Sequence, residues 1–181
     1  MAVTQDRLFS PRFFLMCGFS FTVFLSAFQL LPTAPFHIRD LGGTTFAAGL
    51  FLAFLTYSSA ITAPFTGALA DRLGLRRTLI TSALAITVCS AGYALLRDHR
   101  LVLALTLAHG LFWSGLLTAS GAYMTNLLPP ARRAEGIGYW GIASVGAIAI
   151  GPSLGFWIYQ YGWVVLCAVT GALNLTMAAI A

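Results

Sequence analysis

Lysine is absent from the sequence, and acidic residues number only five in 181. All ten basic residues are arginines, which leaves a formal net charge of +5. Charged residues make up 8% of the chain, against about 25% in an ordinary soluble domain. Charge this sparse excludes a water-soluble globular domain. The three cysteines, Cys17, Cys89 and Cys167, each fall inside an apolar run. They read as small buried hydrophobes, not as a disulfide framework or a metal site. Enzyme signatures are missing too. There is no His-Glu-x-x-His, no phosphate-binding glycine loop with lysine, and no Gly-x-Ser-Gly; Thr118-Ala119-Ser120-Gly121 lacks the first glycine.

What is present is apolar sequence. Apolar residues reach 59% and mean hydropathy is +0.85. A membrane-crossing helix needs about 20 such residues. A polar tip, residues 1–12, ends in Ser10-Pro11, an N-cap followed by proline in the first turn. Phe13 to Phe36 then carries no charge, and is too long for the apolar core of a secretory signal, about 7–15 residues. It is a retained first span, loosened at its far end by Pro32 and Pro35, and His37 to Gly43 is the loop after it. Further spans are expected over Thr45–Ala70, Thr78–Leu96 and Leu101–Leu128. The charge-free remainder, Gly136 to Ala181, divides into two spans at Gln160-Tyr161-Gly162-Trp163.

Six spans put both ends of the chain on one side. Arg7, Arg12, Arg72, Arg76, Arg77, Arg132 and Arg133 share that side, and Arg39, Arg97 and Arg100 face the other. The positive-inside rule places the richer side, with the N-terminus, in the cytoplasm. A basic balance can also mark a nucleic-acid partner. Here the arginines cluster at span ends, so topology explains them and no nucleic acid is implied.

The break after the second span, Gly67-Ala68-Leu69-Ala70-Asp71-Arg72-Leu73-Gly74-Leu75-Arg76-Arg77, concentrates charge. Each charge at the bilayer centre costs about 2.5–3.5 kcal/mol, so the segment is a tight turn at one membrane face. Gly67 lets a neighbouring helix approach, and Gly74 supplies a positive φ between helices. Asp71 lies at a helix C-terminus, where the macrodipole favours cations, so it needs a partner. A local pair with Arg72 or Arg76 would serve, and so would another helix's N-terminus.

Gly-x-Leu-Ala-Asp-Arg-x-Gly-x-Arg-Arg at this place resembles the signature loop of the major facilitator superfamily. Leu75 stands where that consensus prefers a basic residue. The resemblance implies an all-α fold of six transmembrane helices as two inverted three-helix repeats, half of the family's twelve-helix architecture. It implies one six-helix N-terminal domain over 13–181, with a C-terminal six-helix half as its missing partner. A faint internal echo agrees: Leu30-Leu31-Pro32 with Leu127-Leu128-Pro129, and Pro64-x-x-Gly67 with Pro152-x-x-Gly155. The implied function is secondary active transport by alternating access in a bacterial inner membrane. Gly138, Gly151, Pro152 and Gly155 are similar to the fifth-span motif of the family's proton-linked drug antiporters, while Ala147 and Phe156 replace glycines of that motif. Those antiporters often carry a fourth-span arginine, whose place Thr106 takes here.

The remaining candidates come from polarity inside spans. His109 is the one histidine well inside a span; it shares a helical face with Trp113, Leu116 and Ser120. It is either a cavity group or a neutral histidine bonded to a neighbouring helix. Gln29 and Tyr57 could bind substrate or pair with each other. Tyr123 and Asn126 lie near the cytoplasmic end of the fourth span, and Glu135 caps the fifth. The expected activity is proton-coupled efflux of a small amphipathic molecule, with proton-coupled uptake of a metabolite as the alternative. No cofactor or metal is implied. A membrane-embedded enzyme and a non-transporting scaffold are the competing classes.

Overall fold

The computed structural model describes residues 8–181. Arg7 and the start of the polar tip lie outside them. Six helices are long and apolar enough to cross a membrane. They are α1 (Pro11–Asp40), α2 (Thr45–Leu73), α3 (Leu75–Leu95), α4 (His99–Leu127), α5 (Arg133–Tyr159) and α6 (Trp163–Ile180). A 3₁₀ turn, Pro130–Arg132, precedes α5. Among the described residues there is no strand.

Local chemistry sets the ends. The Ser10 hydroxyl accepts from the Phe13 backbone N–H at 3.2 Å, and Pro11 opens α1. The Thr44 hydroxyl caps α2 at Ala47 N–H, 3.1 Å, and the Asp98 carboxylate caps α4 at Arg100 N–H, 2.8 Å. Each satisfies one of the amide groups that a helix start leaves without a partner.

Several helices run further than charge placement suggests. The loop expected over His37 to Gly43 contracts, because α1 continues to Asp40 through Pro32 and Pro35. Packing holds it there: Gly155 of α5 seats on the Gln29 backbone, and Phe36 meets Phe156 edge-on at 5.7 Å. The turn expected over Gly67 to Arg77 contracts to one residue. Gly74, at φ +90°, separates α2 from α3, so Asp71 and Arg72 are helical and Arg76 and Arg77 open α3. Likewise α5 starts at Arg133, three residues ahead of the charge-free run.

α1 packs most extensively on α5, α2 on α4 and α3 on α6. Exchanging the first three helices with the last three turns the first contact into the second and leaves the third unchanged. That is the pattern of two related three-helix repeats. Gly67 of α2 faces Thr118 of α4, as Gly155 of α5 faces Gln29 of α1. Nearly the same sequence distance separates the two glycines as separates Gln29 from Thr118, so the Pro-x-x-Gly echo marks equivalent contacts. Buried side chains form two clusters. Phe13, Phe19, Leu116, Met124 and Met177 belong to one, and Ile38, Phe51, Tyr93, Trp163 and Leu166 to the other.

Candidate functional site

The signature segment spans the end of α2 and the start of α3. The Arg76 Nε donates to the Ala181 backbone oxygen at 3.0 Å. Asp71 is exposed. Among the described residues the ion pairs are His99–Asp98 and Arg132–Glu135, so Asp71 is bridged to neither Arg72 nor Arg76. Gly67 is not a tight contact: a β-carbon there would lie 3.7 Å from the Thr118 methyl, an ordinary distance. A shallow cavity of about 370 Å³ opens beside Arg76, bounded by Leu75, Tyr123, Asn126 and Leu127.

The fifth-span glycines divide into two sets. Gly151 and Gly155 are buried against α1; added β-carbons would come within 2.8 Å of the Phe28 Cβ and 2.6 Å of the Gln29 carbonyl oxygen. Gly138 has open space where a side chain would stand. Ala147, at a motif glycine's place, is fully buried, so the space there already admits a methyl group. Pro152 lies inside a helix that stays continuous to Tyr159. Glu135 is held in the first turn of α5 by Arg132, through bonds of 2.9 and 2.8 Å to its two carboxylate oxygens.

The polar residues inside the spans are not gathered at one point. Gln29 is fully buried, and neither its Nε2 nor its Oε1 has a partner among the described residues. Tyr57 is 69% exposed, so it does not pair with Gln29. His109 lies against α3, with its Nδ1 3.2 Å from the Tyr93 hydroxyl. Trp113 meets Phe24 of α1 edge-on at 5.9 Å. Ser120 is buried and donates to the Leu117 carbonyl at 3.0 Å.

Other groups show only in three dimensions. A cavity of about 370 Å³ between α2 and α4 is lined by Thr56, Ser59, Trp113, Ser114 and Thr118. Beside it the Thr66 and Ser114 hydroxyls lie 3.0 Å apart, tying α2 to α4. The Ser26 hydroxyl donates to the Asn174 Oδ1 at 2.9 Å, and the Asn174 Nδ2 donates to Ser90 at 3.0 Å, joining α1, α6 and α3. Asn174 stands in an otherwise apolar run, and that isolation was its available signal. The serines and threonines gave none, because such residues often bond their own helix.

The Major Facilitator Superfamily profile matches residues 12–181. The chain is 24% identical over 135 residues to a protein described as "Quinolone resistance protein NorA" of Staphylococcus aureus, covering 75% of this chain and 35% of that protein. It is 29% identical over 154 residues to the "Multi-drug resistance efflux pump PmrA homolog" of Lactococcus lactis, covering 82% of this chain and 38% of that one. The chain thus spans little more than a third of the length of these relatives. The apolar spans, the signature segment at the α2–α3 turn, the paired three-helix repeats and the profile match agree: this multi-pass membrane protein belongs to the Major Facilitator Superfamily of transporters.

Proposed function

We propose that the chain is the N-terminal half of a secondary transporter that exports small amphipathic molecules in exchange for protons, by alternating access in a bacterial inner membrane. The observation that carries this reading is the similarity, over most of the chain, to a quinolone resistance protein and a multidrug efflux pump. The family moves its cargo across the membrane and does not transform it.

Geometry adds three supports. Among the described residues Asp71 has no ionic partner. A contact to a second half, made in one conformation only, would let it bias the transport cycle, since only a state-dependent interaction shifts an equilibrium. The enclosed Gln29 amide keeps donors and an acceptor without partners among the described residues, which a ligand could take up if α1 and its neighbours part during the cycle. Exposed apolar side chains along α2 and α5, such as Ile61, Phe65, Ile142 and Val145, suit burial against six further helices. We place the coupling proton on an acid of that second half, because no acid lies within ion-pairing distance of His109 among the described residues.

The test uses proteoliposomes carrying the chain together with its second half. An imposed pH gradient should drive an amphipathic dye across the membrane, with protons moving the other way. Dye flux that ignores the gradient would remove proton coupling. Flux in the same direction as the protons would favour symport. His109→Gln should leave coupling intact, whereas neutralising the second-half acid should abolish it.

A further inference from the structure

We propose that Tyr93 and Thr106 are positioning residues that hold His109 as its Nδ1–H tautomer, so that the ring offers an unprotonated Nε2 to a hydrogen-bond donor on a bound molecule. The bound molecule rests on the transporter reading above; the tautomer does not.

The argument is a count of protons along a chain of three contacts. The Thr106 hydroxyl donates to the Val102 carbonyl at 2.9 Å, within α4. The Tyr93 hydroxyl donates to Thr106 Oγ1 at 3.3 Å. A tyrosine has one hydroxyl proton, and Tyr93 has then spent it. The third contact, 3.2 Å between the Tyr93 oxygen and His109 Nδ1, is a hydrogen bond only if the ring nitrogen donates. In the opposite order Tyr93 donates to Nδ1. Thr106 must then abandon Val102, or its contact with Tyr93 holds no proton. Only the first order puts a proton in every contact. Burial makes the distinction matter, because Tyr93 and Thr106 are fully enclosed and the cost of an unmade bond there is high.

With Nδ1 committed to Tyr93, a neutral ring carries its lone pair on Nε2. That nitrogen makes no hydrogen bond with the described residues. It is also not among the sealed, unpartnered atoms, which belong to Gln29, His37 and Trp140. His109 as a whole is 5% exposed. An acceptor so placed selects ligands that donate, such as a hydroxyl, an amide N–H or an ammonium group.

The test is solid-state NMR of the full 181-residue chain, ¹⁵N-labelled at histidine, in lipid vesicles at neutral pH. His109 is identified by subtraction of His109→Gln. A protonated Nδ1 and a bare Nε2 are expected. Thr106→Val preserves shape but takes away the acceptor of the Tyr93 proton. That proton should turn to Nδ1, and His109 should switch to Nε2–H. Thr106→Ser should keep the original tautomer. The signals of His37 and His99 report whether each variant is folded. If Thr106→Val is not folded, Tyr93→Phe decides, since loss of the acceptor oxygen should release Nδ1–H. An Nε2–H ring in the unaltered chain overturns the proposal, as does an unchanged Nδ1–H ring in whichever variant decides. Benzylammonium should shift the Nε2 resonance, and benzyltrimethylammonium, which has no N–H, should not. Equal shifts, or none, overturn the acceptor role. None of these readouts depends on transport.

Discussion

At single positions, the same residue type does opposite things on one helix. Gly155 and Gly138 both lie on α5, yet a β-carbon at Gly155 would sit 2.6 Å from backbone oxygen and one at Gly138 would meet nothing within 4 Å. Backbone cannot rotate away as a side chain can. Gly155→Ala should therefore push α1 from α5 and destabilise the chain by about 1–3 kcal/mol, the usual range for overpacking. Gly138→Ala should be neutral or stabilising by up to about 1 kcal/mol, since alanine is the better helix former. Unfolding in mixed micelles, followed by helical circular dichroism, separates the two. Equal stabilities would mean that the α1–α5 contact is looser than its geometry states.

Between helices, apolar surface cannot hold a bundle together in lipid as it does in water, because the lipid tails are as apolar as the side chains. Close packing and interhelical hydrogen bonds decide instead. Asn174 illustrates the second. It binds Ser26 and Ser90 at once, so three helices meet on one amide. Asn174→Leu should cost about 1–2 kcal/mol, two bonds at the modest strength measured between helices in membranes. The same micelle unfolding measures it. A Ser26→Ala, Asn174→Leu double variant should lose less than the sum of its single changes, because the two residues share a bond. Strict additivity would mean that the network does not form.

At the scale of the whole molecule, two predictions concern its orientation and the proposed second half. By the positive-inside rule, seven arginines against three predict an N-terminus in the cytoplasm. With the native cysteines replaced, an impermeant thiol reagent added outside intact cells should label Asp98→Cys and spare Arg77→Cys; both positions are exposed. The reverse pattern would invert the topology. Asp71→Asn, tested with the second half present, should lower transport by about tenfold, within the usual span of coupling between sites. The amount of protein inserted should not change. Undiminished transport by a well-inserted variant would mean that Asp71 makes no state-dependent contact.

The number of spans, their approximate limits and the α2–α3 turn follow from sequence alone, because lipid imposes one strict rule: about 20 uncharged residues per crossing and charge at the ends. Gly74 was legible as the break for a similar reason, since a positive φ suits glycine and little else. The exact helix ends were less so. Charge marks where a chain meets water, but α1 carries Arg39 and Asp40 in helical conformation beyond that point. Which polar residues face one another was decided only by tertiary structure. His109, Trp113 and Ser120 share a helical stripe in sequence. That stripe faces whichever neighbours the fold supplies: Tyr93 of α3 takes His109, and Phe24 of α1 meets Trp113. Helical periodicity fixes the angle of a residue around its own axis. It carries no information about which helix lies opposite, and that partner sets whether a buried polar group is satisfied, as Asn174 is, or left with bonds to offer, as Gln29 is.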